Sequence, residues 1–278
     1  MQYLDLTPVE IDTKSLQKRS AKEDDCSRLI TNDCIVRVDG VTKVVYLSQV
    51  RHPDIERARE AVKKIKYNTS TRTGGLVSTS RIFGFAPRNV LRGHPCRATT
   101  LASESQSQHD AICKTAPVLN EYYEKYFPEI HKNHSEMTDK VMNEWRIPDS
   151  VFTSGIVNCN NPLQYHFDAG NFSQVCSAML GFRHKIQGGY LSCPELDAAF
   201  EISDYSVILF DGQKLLHGVT PMKKLSDESF RYTIVYYSLK QMWHCDTVTE
   251  EVAALRARRT EIERRKVAVK ASHDKKQD

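Results

Sequence analysis

QYHFDAGNF, residues 164–172, carries a histidine and an aspartate two positions apart. On an extended segment such residues project to the same side, so His166 and Asp168 send an imidazole and a carboxylate toward one point. A His-x-Asp tripeptide arises by chance in many chains, and a single histidine is more often an ordinary hydrogen-bonded side chain than a ligand. The pair needs a third group. The best placed is His217 in YSVILFDGQKLLHGVTP (205–221), where an apolar run, an Asp-Gly turn and a second apolar run read as a hairpin. Such a hairpin would return a distant histidine to the mouth of a barrel. Two imidazoles and one carboxylate on one face of an octahedron leave the other positions open, which is the ligand set of non-haem Fe(II) oxygenases.

The next run downstream, RYTIVYYSL (231–239), alternates, so Arg231, Thr233, Val235, Tyr237 and Leu239 share one face. If that face is the inside of a small barrel, a guanidinium there is costly without an anion. A carboxylate matches it bidentately, and Thr233 adds a hydroxyl beside it. The far carboxylate of 2-oxoglutarate would satisfy both. If the face points to solvent, Arg231 makes only a surface pair.

Outward from these motifs, residues 151–242 are a series of short β-prone runs with Asn-Pro, Gly-Gly, Cys-Pro and Asp-Gly turns between them. Strands at that spacing predict a sandwich or jelly-roll core. CIVRV (34–38), Asp39-Gly40 and TKVVYL (42–47) read as a hairpin, and PDIERAREAVKKIK (53–66) as a helix with proline in its first turn. Residues 67–105 read as an extended, loop-rich segment, and helices are expected over 109–126 and 129–145. The whole is an α+β fold with helices against one face of the core. His131-x-x-His134 falls in the second helix; without a nearby cysteine it reads as a solvated face rather than zinc. Three parts are expected: a polar, irregular segment 1–33, a domain 34–245 and a charged, helix-prone tail 246–278. The tail reads as a solvated helix or as an arm contacting phosphates.

A chain of 278 residues, 40% hydrophobic and 27% charged, has the composition of a globular protein. No apolar run is long enough for a membrane span, and the polar start lacks a signal-peptide core. Eight cysteines without a CxxC pair read as reduced thiols, hence an intracellular protein, in the cytoplasm or nucleus. The net charge of +4 permits a nucleic-acid partner without arguing for one.

The sequence His166-x-Asp168, His217, Arg231 resembles the Fe(II)- and 2-oxoglutarate-dependent dioxygenase superfamily. More narrowly it looks like the TET/J-binding-protein branch, over residues 34–242 and most strongly over 158–239. The resemblance implies a double-stranded β-helix (cupin-like jelly roll) and Fe(II) on His166, Asp168 and His217. It also implies 2-oxoglutarate on Arg231 and Thr233, with dioxygen as oxidant. The implied reaction is oxidation of a base methyl in DNA, either 5-methylcytosine to 5-hydroxymethylcytosine and beyond or thymine to 5-hydroxymethyluracil. The base would be flipped from the helix. Asn171 stands where the family has a base-contacting asparagine, and Tyr237 where an aromatic stacks on the base. RIFGFAPRNVLRGHPCR (81–97) is similar to the segment preceding the helices in this branch. Arg72, Arg81, Arg88, Arg92 and Arg97 are the candidates for DNA phosphates, with Arg81 and Arg88 alternatively reaching co-substrate or base. Two departures stand out. Leu239 occupies the place of a base-reading histidine, and the cysteine-rich zinc region of animal TETs is missing, so no structural zinc is expected. The competing readings are the same iron chemistry on a protein side chain, nucleotide or small molecule, and a non-catalytic nucleic-acid-binding module.

Overall fold

The computed structural model describes residues 1–71, 77–89, 91 and 93–274. Its first half runs β1 (Gln2–Asp5), α1 (Thr13–Leu16), β2 (Arg28–Ile30), β3 (Cys34–Val38), β4 (Val41–Leu47), α2 (Pro53–Lys63), β5 (Asn68–Thr71), β6 (Val77–Ala86) and β7 (Arg97–Ala98). Helices α3 (Thr100–Glu104), α4 (Gln106–Cys113), α5 (Ala116–Tyr126) and α6 (Pro128–Thr138) follow. The second half is β8 (Ser154–Cys159), β9 (Ser177–His184), β10 (Ile186–Gly188), β11 (Leu191–Cys193), β12 (Ala198–Phe200), β13 (Ser206–Phe210), β14 (Gly218–Val219), β15 (Met222–Lys224), β16 (Phe230–Tyr237) and α7 (Val248–Asp274).

The larger sheet has the order β1-β3-β4-β13-β9-β16-β8-β6-β5, with β7 on β6. A smaller sheet is ordered β14-β11-β12-β2, and β10 pairs with β15. This is the α+β fold with a double-stranded β-helix core. The parity of β16 shows why the layers separate. Ile234 and Tyr236 are fully buried in a cluster with Leu180 and Phe182 of β9, Ile55 and Val62 of α2, and Leu119 and Tyr123 of α5. The opposite face of the sheet, with Val36, Tyr46, Met179 and Ile208, packs on Leu191, Cys193 and Phe200 of the smaller sheet. Each large apolar side chain so buried stabilises the fold by about 1.5–3 kcal/mol. Arg231, Thr233, Val235 and Tyr237 alternate with the helix-facing set and line a cavity on the inner side.

The hairpin forms as expected, with Asp39 and Gly40 both at positive φ (50° and 74°). Several expectations change. The N-terminal residues are not irregular throughout: β1 runs parallel to β3, and β2 runs parallel to β12. Parallel edge strands draw partners from distant sequence, so neither shows a local hairpin signal. Within the expected loop-rich segment 67–105, β6 pairs with β8 from Ser80↔Asn158 to Gly84↔Ser154. The helix expected over 109–126 breaks after Cys113, and a new helix begins at Ala116 with Pro117 in its first turn. The one expected over 129–145 ends at Thr138, before a 3-10 turn at Asn143–Trp145.

His131 and His134 are not solvated. Both are buried on the inner face of α6, where Nε2 of His131 meets Asn120 Oδ1 at 3.0 Å and Nε2 of His134 meets Ser238 Oγ at 2.9 Å. The thiols are not all reduced: Cys96 and Cys245, 149 residues apart, form a disulfide. No spacing rule reveals a pair that distant, and the cysteine pattern therefore no longer argues for a reducing compartment. Cys26, Cys34, Cys113, Cys159, Cys176 and Cys193 are free. Among the described residues no helix is long and apolar enough to cross a membrane.

Candidate metal and co-substrate site

His166 and His217 form an isolated antiparallel bridge, each backbone N–H donating to the other's carbonyl at 2.9 and 3.1 Å. The ring centroids consequently lie 4.4 Å apart. Asp168 is held by its own N–H, which donates to Gly212 O at 2.8 Å. Its Oδ1 is 3.8 Å from Nε2 of each histidine, and the three ligand atoms all lie within 4.8 Å of one another. Gly212 makes that approach feasible. A Cβ there would press into the Asp168 carboxylate, 3.0 Å from Cγ and closer still to Oδ2.

The tautomers follow from hydrogen bonding. Nδ1 of His166 lies 2.8 Å from Gln164 O, and Nδ1 of His217 lies 2.9 Å from Leu215 O. A carbonyl only accepts, so each Nδ1 carries a proton, and in the neutral ring the lone pair is left on Nε2. Two Nε2 lone pairs and a carboxylate facing one point are the donor chemistry of a divalent metal site, with backbone carbonyls orienting the rings. The set suits iron.

The same three residues line a cavity of about 360 Å³ that Arg231 also lines. Arg231 is 1% exposed, and its Nε and Nη2 have no hydrogen-bond partner. Burial, with the neighbouring Arg183 charge, pushes its guanidinium down to about 9. Arg183 is its register partner on β9, tied by Nη2 to Ile186 O and Gly188 O at 2.5 and 2.9 Å. Asn160 grips the Arg231 backbone from both sides: its N–H donates to Arg231 O and its Oδ1 accepts from Arg231 N, both at 2.8 Å. Thr233 Oγ1 accepts from Asn158 Nδ2 at 3.2 Å, which leaves its hydroxyl proton to donate elsewhere. A buried guanidinium with two unpaired groups beside a hydroxyl fits a carboxylate. The residues present thus fit both iron and 2-oxoglutarate.

Asn171 and Tyr237 line the same cavity. Asn171 is bridged to Leu239 through the backbone, and its Nδ2 lies 3.5 Å from Ser177 Oγ. The flanking arginines are spent differently. Arg88 donates through Nε to Glu251 Oε2 at 3.1 Å and also pairs with Asp246, so it ties the loop before β7 to the start of α7. Arg81 pairs with Glu104, and Arg97 Nη1 donates to Pro95 O at 3.1 Å. Neither Arg81 nor Arg88 lines the cavity, while Arg72 and Arg92 lie outside the described residues. Sequence reading overlooked Ile82, Ile156, Asn158 and Asn161, which also line it. A signal was available in β8: Ile156 and Asn158 alternate toward the cavity opposite Val235 and Thr233.

The family profile Tet_JBP, described as the oxygenase domain of the 2OGFeDO superfamily, matches residues 85–240, and the chain belongs to that family. The oxygenases of that superfamily use Fe(II), 2-oxoglutarate and dioxygen, and the donor set formed by His166, Asp168 and His217 fits that chemistry. The chain is 25% identical over 166 residues to the bifunctional helicase and thymine dioxygenase JBP2 of Leishmania tarentolae. That alignment covers 59% of this chain but only 15% of the relative. Among solved structures it is similar to NgTET1 in complex with 5mC DNA, with a TM-score of 0.59 and 15% identity. The match covers 89% of this chain and 100% of the other, and at that identity the likeness is one of fold.

Proposed function

We propose that this chain oxidises the methyl group of a pyrimidine base in DNA, with His166, Asp168 and His217 holding Fe(II) and Arg231 with Thr233 holding 2-oxoglutarate. One observation carries the reading: the three ligand atoms and the unpaired Arg231 guanidinium open on one cavity. Bound iron supplies dioxygen activation coupled to oxidative decarboxylation of 2-oxoglutarate.

The chain's own part is placement. Carbonyls of Gln164 and Leu215 hold the imidazole tautomers. Arg231 neutralises the co-substrate's far carboxylate, and the Thr233 hydroxyl donates beside it. Leu163, Met179, Leu191 and Val219 add apolar walls to the cavity, which favour exclusion of water once it is filled. A methyl group within a duplex cannot reach such a cavity, so the nucleotide must turn out of the stack. The Tyr237 ring is suited to stack on the base, and the Asn171 amide, which both donates and accepts, to read its edge.

Thymine is the first candidate base. The curated relative is named a thymine dioxygenase, and Leu239 at the cavity wall cannot hydrogen-bond an exocyclic amino group. A DNA target requires an intracellular protein. The catalytic unit assigned to 34–245 would carry residues 1–33 as a strapped N-terminal segment and 246–278 as an appended arm.

The test is incubation with Fe(II), 2-oxoglutarate and air on oligonucleotides bearing thymine or 5-methylcytosine, alongside free thymidine, with digestion and mass spectrometry. Hydroxymethylated base from the oligonucleotides, lost in Asp168→Ala, is the expected outcome. Turnover of thymidine but not of DNA would replace the DNA substrate with a nucleoside, and no oxidised base from any arm would refute the proposal.

A further inference from the structure

We infer that Asn161 is a further co-substrate-binding residue, its amide Nδ2 donating to the carboxylate that Arg231 receives. The inference rests on the reading of the cavity as the 2-oxoglutarate site.

Asn161 is 6% exposed, lines the cavity, and its Nδ2 has no hydrogen-bond partner. Buried amides are nearly always satisfied, so an unpaired one aimed into a cavity marks a place where something polar belongs. Its position along the cavity follows from the chain. Asn160, the preceding residue, is the one whose N–H and Oδ1 both grip the Arg231 backbone at 2.8 Å. Asn161 is therefore one residue from the clamp on the Arg231 backbone, and Asn161 and Arg231 line the same cavity. Pro162 follows it, and a residue before proline is restricted to extended backbone, which limits how far the side chain can be redirected.

The neighbouring unsatisfied atoms have one polarity. Arg231 Nε and Nη2, Arg183 Nη1 and Asn161 Nδ2 are all buried donors without a hydrogen-bond partner. Glu201 stands 4.0 Å from Arg183 Nη1, too far for a hydrogen bond. An ionised carboxylate is acceptor-only, with roughly four lone-pair sites, and can take several donors at once. Thr233, its own oxygen already accepting from Asn158, adds a hydroxyl donor on the same wall. A carboxylate held only by Arg231 would leave the Asn161 donor idle.

The experiment is calorimetric titration of 2-oxoglutarate into Mn(II)-loaded wild type, Asn161→Leu and Asn161→Asp, with Mn(II) affinity and the melting temperature of the metal-free proteins measured in parallel. Loss of a hydrogen bond to a charged group predicts roughly 10- to 100-fold weaker 2-oxoglutarate binding in Asn161→Leu. Asn161→Asp, nearly isosteric, should bind more weakly still because it sets one carboxylate against another. Mn(II) affinity should be unchanged in both. Metal-free Asn161→Leu should melt no lower than wild type, since the lost donor had no partner to lose. Wild-type affinity for 2-oxoglutarate in both variants would overturn the assignment. So would weakening matched by an equal loss of Mn(II) binding or a clear drop in melting temperature, which would mark a structural residue. No binding by the wild type would strike the reading of the cavity itself, and the Asn161 role with it.

Discussion

His166 and His217, 51 positions apart, are joined by a reciprocal pair of backbone hydrogen bonds of 2.9 and 3.1 Å. The imidazoles are brought together by main chain alone, so their meeting does not depend on a metal being present. Asp168 is fixed by the same means to Gly212, and both contacts come from the segment following β13.

Gly212 is therefore a sensitive position. Gly212→Ala puts a methyl against the Asp168 carboxylate and should force it off the point shared with the histidines. Metal affinity is expected to fall roughly 10- to 100-fold, the usual effect of disturbing a group that orients a ligand. Mn(II) titration followed by electron paramagnetic resonance would read this. Unchanged affinity would show that the carboxylate need not stay where it is.

Arg231→Leu should separate stability from function. The guanidinium is buried with two unpaired groups beside a second cation, Arg183, and its removal relieves a desolvation cost. The metal-free variant is expected to melt at or above the wild-type temperature while the KM for 2-oxoglutarate rises at least about 100-fold, as for a lost charge-assisted, bidentate contact. A lower melting temperature with an unaltered KM would give Arg231 a structural role instead.

How much of this was legible in the sequence depended on whether the signal was local. Alternation along 231–239 and the two-residue step from His166 to Asp168 are period-2 features, and the inner face they predicted is the one that lines the cavity. The arrival of His217 was readable from an apolar run and an Asp-Gly turn. The parallel pairing of β1 and β2 left no such trace, nor did the Cys96–Cys245 bond. The ion pair between Arg88 and Glu251, 163 residues apart, was equally hidden. Asn161 looks like any loop asparagine until its unpaired amide is seen inside the cavity.

His134 makes stability depend on acid. Burial, then the nearby His131, pushes its pKa down to about 3, whereas the unfolded chain titrates near the ordinary 6.5. Between those values the unfolded state binds the extra proton. The contribution is thus intact above pH 6.5 and is lost as pH falls toward 3. The slope for this group is about 1.4 kcal/mol per pH unit. Urea unfolding at pH 7 and pH 5 should show that loss in the wild type and a smaller one in His134→Gln. Identical slopes would contradict the assignment.

The Cys96–Cys245 bond joins the strand-β7 loop to the segment leading into α7, beside Glu251, whose Oε2 accepts from Cys96 N at 3.1 Å. Cys245→Ser should cost about 2–5 kcal/mol of stability under oxidising conditions, as closing so long a loop implies. In excess reductant the wild type should fall to the same value. Equal stability of the two proteins without reductant would count against the bond.

Whether His166, Asp168, His217 and Arg231 serve one centre is tested by anaerobic Fe(II) titration with and without 2-oxoglutarate, comparing wild type with Asp168→Ala and Arg231→Leu. A single Fe(II) site is expected in the wild type, with a visible spectrum that changes when 2-oxoglutarate chelates the metal. Asp168→Ala should lose the metal, and Arg231→Leu should keep the metal but require far more 2-oxoglutarate. Full Fe(II) binding by Asp168→Ala, or a spectral change in Arg231→Leu at wild-type 2-oxoglutarate concentrations, would contradict a single shared centre.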